Sequence, residues 1–291
     1  MNKRSTPKSP GQKFREALTR EKPLQIVGTI NAYAAIMADA AGFQALYLSG
    51  AGIANASYGL PDLGVTTLDN VLEDARRITS VVDLPLLVDI DTGWGSLMMT
   101  ARAVHEMERA GVAAVHIEDQ PFEKRCGHRP NKKVIPQEDM SDRIKAAVDA
   151  RNDPAFVIMA RTDAFADEGL DRTIERCLAY EAAGADMLFI EALTSLDEYK
   201  QCVKTLSRPI LANITEFGKT PLFTKDELAH VGVSLILYPL SAWRAMNLAA
   251  LKVYRAIRET GSQKLMLDQM QTREELYGFL DYETYEKKLR D

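Results

Sequence analysis

Residues 115–130 read VHIEDQPFEKRCGHRP, an apolar run that ends on Glu118 and Asp119 and passes into Lys124, Arg125, Cys126, Gly127, His128 and Arg129. No packed core requires that mixture. Positive charge around a lone sulfur favours the thiolate, so the Cys126 thiol is expected below its free value of about 8.5. Such a sulfur can give or take a proton near neutral pH. Gly127 and the lack of β-branched residues over 123–129 suit a mobile loop that folds over a ligand. The plain alternative is a solvated basic loop with an incidental thiol.

A second constellation lies upstream, where Asp89 and Asp91 stand two apart. On an extended segment both side chains would point to one face. Two carboxylates about 4 Å apart repel by roughly 4 kcal/mol at an effective dielectric of about 20, so something must offset them. A hard divalent cation does so directly. With Glu118 the set is made only of oxygens and suits Mg²⁺, which keeps several waters and uses few protein carboxylates. Helix-capping aspartates ahead of Gly93 and Gly95 are the structural alternative. His116, two before Glu118, is expected to point the same way, whereas His105 and His230 fall in helical segments and are given no role. Cys177 and Cys202 lie at helical spacing and read as packing thiols.

These residues need elements to hold them. Eight short apolar runs (25–30, 45–48, 84–90, 114–117, 156–160, 187–190, 209–212 and 235–240) alternate with longer segments of helical periodicity, among them 68–82, 98–110, 139–150, 170–183 and 196–206. Strand alternating with helix eight times implies a parallel sheet. A small or apolar residue and a glycine precede four of the runs, at Gly42, Gly111, Gly184 and Gly232, as expected where a helix ends in the left-handed conformation. Eight such units close naturally into a (β/α)8 TIM-type barrel. An open doubly wound sheet is the alternative, although no GxGxxG follows the first run.

In a parallel barrel the active site lies at the carboxyl ends of the strands. Nearly every run here ends in chemistry: Asn31, Ser49, Asp89 with Asp91, Glu118, Arg161 with Asp163, Glu191, Asn213 with Thr215, and Tyr238. A short helix over 12–20 is expected after a polar first ten residues. Beyond the eighth run, a long amphipathic helix over 242–259 and a charged helical tail over 272–291 exceed what a barrel needs and are predicted to pack against another subunit. The whole chain, 1–291, reads as one barrel domain with a C-terminal helical extension from about 242.

The 291 residues carry a net charge of -5, which argues against nucleic acid and acidic membranes as partners, since both call for a basic face. Clustered basic residues in one loop therefore suggest a small anionic ligand. Three cysteines without a CxxC pair suggest neither a zinc knuckle nor a disulfide framework and fit a reducing cytoplasm. No signal-peptide core is present and no apolar run nears the ~20 residues that span a bilayer.

The strings KRCGHR at 124–129, YLSG at 47–50, VDIDTGWG at 88–95 and IMARTD at 158–163 together resemble the isocitrate lyase and phosphoenolpyruvate mutase superfamily. LANITEFG at 211–218, LYPLSAWRAMN at 237–247 and MQTREELY at 270–277 extend the likeness over nearly the whole chain. The resemblance implies a Mg²⁺-dependent carbon–carbon lyase, a homotetramer whose C-terminal helices are exchanged between subunits. It would cleave a 2-hydroxy tricarboxylate to pyruvate and succinate. Asp89 and Asp91 would hold the metal, with Glu118 and Asp62 in its outer shell through water. Cys126 would be the catalytic acid on the mobile loop, with Lys124 and His128 beside it, and Tyr47 the base or its orienter.

Substrate would meet Ser49, Gly50, Ala51, Gly127, Arg161, Glu191, Asn213, Ile214, Thr215, Arg244 and Arg273 on the same resemblance, the three arginines taking its carboxylates. Bulkier aromatics stand in isocitrate enzymes at the positions of Phe189 and Leu237, so this pocket is expected to admit one more methyl group. Ala51 departs from a common SGG turn, and Trp94 stands where phenylalanine or tyrosine is frequent. Isocitrate or a dimethylmalate-type acid would use the same residues and is an alternative substrate. Cys126 disfavours a phosphonate-forming mutase, and a non-catalytic binding barrel is the rival of another kind.

Overall fold

The computed structural model describes residues 7–129 and 131–289. Six of the polar first ten residues, Pro130 and the last two of the charged tail lie outside the described residues. Helix α1 (Pro10–Arg20) begins two residues before the expected start, because Ser9 caps it in a reciprocal box with Gln12 and Pro10 occupies the first turn. Strand β1 (Leu24–Gly28) follows, then α2 (Ala32–Ala40), β2 (Ala45–Leu48), α3 (Gly50–Tyr58), α4 (Leu68–Thr79), β3 (Leu86–Asp89), α5 (Leu97–Arg109) and β4 (Ala114–Glu118). The second half runs α6 (Gln137–Ala150), β5 (Val157–Thr162), α7 (Phe165–Ala182), β6 (Met187–Ile190), α8 (Leu196–Thr205), β7 (Ile210–Asn213), α9 (Lys225–His230) and β8 (Leu235–Tyr238). Each strand pairs in parallel with the next and β8 returns to β1, closing the barrel.

The eight expected strands are all present, and the doubly wound alternative is set aside by the closure. Gly42, Gly111, Gly184 and Gly232 have φ between 78° and 105°, the left-handed conformation that ends each preceding helix. Side chains alternate along every strand between two cores. Leu46, Leu48, Val88, Val115, Ile117, Ile158 and Leu188 face the surrounding helices. Leu24, Ile26, Tyr47, Leu87, Ala114, Met159, Phe189, Leu211 and Leu237 fill the interior. Phe14 of α1 joins that interior set, so the helix plugs the amino-terminal end of the barrel.

The same alternation carries the interior positions upward to Asp89, His116, Glu118, Arg161, Glu191 and Asn213, which is why polar side chains converge at the carboxyl end. Register makes neighbours of several: Asp89 lies beside His116, and Glu118 beside Arg161.

Past the barrel, α10 (Ser241–Thr260) runs twenty residues without one buried side chain. A 3-10 turn (Lys264–Gln269) leads to α11 (Arg273–Phe279) and α12 (Tyr282–Lys288). The expected tail helix is therefore two short helices, broken at Asp281, which adopts φ 50°. Among the described residues no helix is long and apolar enough to cross a membrane.

Candidate active site

Strand β3 ends at Asp89, and Asp91 follows in a left-handed turn with φ 47°. The expected single extended segment is thus corrected: a turn, not pleating, brings the two carboxylates together. They meet at Gly50, where a side chain would lie about 3 Å from Asp91 Oδ1 and Asp89 Oδ2. Neither aspartate caps α5, whose cap is Ser96. Asp89 accepts backbone N–H groups on both oxygens, from Gly50 at 3.1 Å and Asp91 at 3.0 Å. The Gly50 amide opens α3, so the positive end of that helix faces the acid. Ser49 caps α3 by accepting from Gly52, which leaves Ala51 in its first turn.

Burial alone would push Asp89 up, but nearby positive charge and the Asp91 amide hold it at about 2. His116 would add to those attractions only if charged, and burial lowers it to about 4, so Lys124 and Arg161 act at neutral pH. His116 lies fully buried between Tyr47 and Phe189. Its Nε2 is 2.9 Å from the Tyr47 hydroxyl, which also lies 3.5 Å from Asp89 Oδ2. Burial and the adjacent Asp89 raise the Tyr47 phenol well above its usual range, so it keeps its proton and serves as a donor.

The opposite wall centres on Arg161. Its Nε donates to Asp163 Oδ2 at 2.9 Å, while Nη1 lies 3.2 Å from Glu118 and Nη2 3.3 Å from Glu191. The guanidinium also rests 5.0 Å above the Phe189 ring. Most of its donor capacity is committed to the protein's own acids. Burial raises Glu191, yet Arg161 and His128 bring it below the ordinary carboxylate range.

The loop after β4 folds over these acids. Lys124 reaches Asp62 at 2.7 Å and Asp91 at 2.5 Å, all but buried itself. His128 Nδ1 accepts from the Lys219 amide at 3.0 Å, which fixes the proton on Nε2 facing Glu191 Oε1 at 3.1 Å. Gly127 lies directly on the Arg161 row, for a Cβ there would overlap Glu191 Cγ, Arg161 Nη2 and Asp163 Oδ1.

Cys126 corrects the expectation of a thiolate, since burial raises its thiol despite the His128 amide beside it. Three of the four expected cations do not serve the sulfur. Arg125 and Arg129 are exposed, and Lys124 is engaged by Asp62 and Asp91. The protonated thiol that results is the form an acid requires.

Asn213 donates to both oxygens of Glu191, while Ile214 and Thr215 are buried in the same β7 loop. Arg244 stands farther out, half exposed, 3.7 Å from Glu216 and over the Phe217 ring. Arg273 opens α11 and lines a cleft with Tyr277, Asp281 and Tyr282, sharing no ion pair with the central cluster among the described residues. Trp94 donates to the Thr66 carbonyl at 3.0 Å, which braces the loop carrying Asp62.

Sequence reasoning missed the supports behind the acids. Asp119 accepts from Thr162, Tyr180 and the Asp163 amide, and Arg143 donates to the Glu118 carbonyl. Lys132 was missed too, one of two adjacent lysines whose types do not reveal which is buried.

The donor set fits a hard dication. Asp62, Asp89, Asp91, Glu118, Asp163 and Glu191 outnumber Lys124, Lys132 and Arg161 two to one, and the excess is visible in the acids themselves. Burial together with Asp89 and Asp62 lifts Asp91 to about 6, and burial lifts Glu118 well above its usual range. Both Glu118 oxygens are buried without a hydrogen bond among the described residues. No three acidic, histidine or cysteine side chains there converge as a complete metal cage. That arrangement matches an ion bound by few carboxylates and several waters.

Comparison with known proteins decides the family, because the model for phosphoenolpyruvate phosphomutase matches residues 14–258. The chain belongs to this family. Within the phosphoenolpyruvate phosphomutase family, a 2-methylisocitrate lyase of Shewanella oneidensis is 63% identical over 97% of this chain and 96% of that protein. One from Escherichia coli is 61% identical over 97% and 95%. The solved structure of a 2,3-dimethylmalate lyase, a PEP mutase/isocitrate lyase superfamily member, superposes with a TM-score of 0.90 at 32% identity, covering 97% of this chain and 95% of that one. A phosphonopyruvate hydrolase solved with oxalate and Mg²⁺ superposes with a TM-score of 0.85 at 29% identity, covering 96% and 98%.

Proposed function

We propose that this chain is a carbon–carbon lyase that cleaves 2-methylisocitrate to pyruvate and succinate, a step of the methylcitrate cycle of propionate breakdown. One observation carries the reading: the loop that bears Cys126 reaches over a pair of converging aspartates at one mouth of the barrel, its Lys124 seated on Asp91. The full-length likeness to 2-methylisocitrate lyases supports the choice of substrate.

Asp89 and Asp91 would hold Mg²⁺, with Glu118 and Asp62 facing its waters. When bound, the ion would supply Lewis acidity to the oxygens of a 2-hydroxy carboxylate. Tyr47, kept protonated, donates toward Asp89 and so orients it, which favours the orienter over the base. The hydroxyl proton would pass to a carboxylate of the site, Glu118 having both oxygens without a hydrogen bond among the described residues, as the adjacent carbon–carbon bond breaks to leave pyruvate and a carbanion of succinate. Cys126 gives its thiol proton to that carbon and regains one from solvent when the loop opens. Closure keeps bulk water from competing for the carbanion. Lys124 brings positive charge in with the loop, and His128 fixes the loop to Glu191. The saturation of Arg161 leaves the outer arginine, Arg244, and the Thr215 hydroxyl as the more available partners for substrate carboxylates.

Product analysis tests this directly. With Mg²⁺ present, 2-methylisocitrate should release pyruvate much faster than isocitrate releases glyoxylate. Equal rates, or cleavage of neither, would overturn it. We further infer a homotetramer, because α10 and the segments after it expose Leu248, Leu251, Tyr254, Leu265 and Tyr285, and a cytoplasmic location, which the free cysteines fit.

A further inference from the structure

Behind Arg161, on the far oxygen of Asp163, stands a charged residue that none of the chemistry above uses. Lys132 lies on the return limb of the β4 loop, and its ammonium is 2.9 Å from Asp163 Oδ1, with side-chain exposures of 1% and 0%. Lysine is almost never fully buried unless paired. Asp163 is also the carboxylate that takes Arg161 Nε on its other oxygen, so one buried acid is shared by a loop cation and a barrel cation.

We propose that Lys132 is a positioning residue for the reaction, pinning the closed loop and setting the orientation of Arg161 through Asp163. With Lys132 on Oδ1, Asp163 binds Arg161 most closely through Oδ2, at 2.9 Å, while Nη2 is shared at 3.3 Å between Oδ1 and Glu191 and Nη1 is directed at Glu118. The loop touches this row at three places, Gly127, His128 and Lys132, all past Cys126. Beyond Lys132, Ile135 donates to the Asp119 carbonyl at 2.8 Å, its own carbonyl accepts from Arg176 at 2.9 Å, and its side chain packs against the core. Lys132 is thus the charged tether next to the anchored base of the loop.

The kinetic part of this inference rests on the lyase reading, so the test has an arm without substrate. Cys126 is alkylated with iodoacetamide in the Mg²⁺-loaded protein and followed by peptide mass spectrometry, Cys177 and Cys202 serving as buried internal controls. Lys132→Met should speed alkylation of Cys126 at least tenfold and lower kcat at least tenfold, with KM changing less than kcat. Lys132→Arg should restore both to within about threefold of the parent. Lys132→Gln, which retains a hydrogen bond without the charge, guards against misfolding of the methionine variant and should behave like it. Parent-like alkylation in a folded Met or Gln variant overturns the inference, whatever the activity. Faster alkylation in a protein that cleaves no 2-hydroxy acid would uphold the tether and sink only the lyase reading.

Discussion

At the scale of single residues, environment and not residue type sets the chemistry. Cys126 among cations reads as a thiolate in the sequence, but the string cannot show that Arg125 and Arg129 turn to solvent while Lys124 is spent on two acids. Its role as acid predicts that Cys126→Ala binds Mg²⁺ and substrate normally and loses about 10²–10⁴-fold in kcat, measured by steady-state kinetics beside calorimetry. For Glu118, whose oxygens take no hydrogen bond among the described residues and would face the proposed ion's waters, Glu118→Gln should weaken Mg²⁺ binding by about 10–100-fold in the same calorimeter.

Asp163 gives a pH signature. Burial opposes its ionisation, but Arg161 and Lys132 hold it at about 2, below the unfolded value of about 3.9. Its contribution to stability is present above the unfolded value and is lost as pH falls toward the folded one. Stability should therefore drop by about 1 kcal/mol between pH 6 and pH 3 on this account alone. Asp163→Asn should lack that component, so urea midpoints of parent and variant should converge as the medium is acidified.

At the scale of elements, the strands were legible because apolar runs of four to seven residues recur with glycine-ended helices between them. Three helices were not. Helix α2, AYAAIMADA, and α3, GAGIANASY, are too uniformly small and apolar to show a polar face, and α9 has only six residues. Their caps were the available signal: Asn31 and Ser49 were read as strand-end chemistry, and each is also an N-cap. Thr224 with Glu227 forms a capping box that marks α9. The active-site acids were legible from strand ends, whereas Lys132 and the Asp119 supports depend on a loop path that no periodicity encodes. Close approach of loop and barrel makes Gly127→Ala informative: its methyl would overlap three site residues, so kcat/KM should fall about 100-fold or more while the melting temperature moves by only a few degrees. A parent-like kcat/KM would show that the loop seats elsewhere.

At the scale of the molecule, the barrel buries its strands between two cores, while residues 241–289 contain no buried side chain. Apolar surface on that scale is unusual for an isolated chain and supports the tetramer proposed above. Paired substitution of Leu248 and Leu251 by Asp should lower the mass found by light scattering from a tetramer toward smaller species. An unchanged mass would mean that α10 faces solvent.

The reach of Lys124 to Asp62 and Asp91 has a further consequence, because the same short stretch of chain carries the sulfur two residues on. On the proposed reading, delivery of the proton and arrival of the Lys124 charge would be mechanically one event. The thiol would not be presented without Lys124 also reaching Asp62 and Asp91, so the timing would be written into the covalent connectivity of a loop.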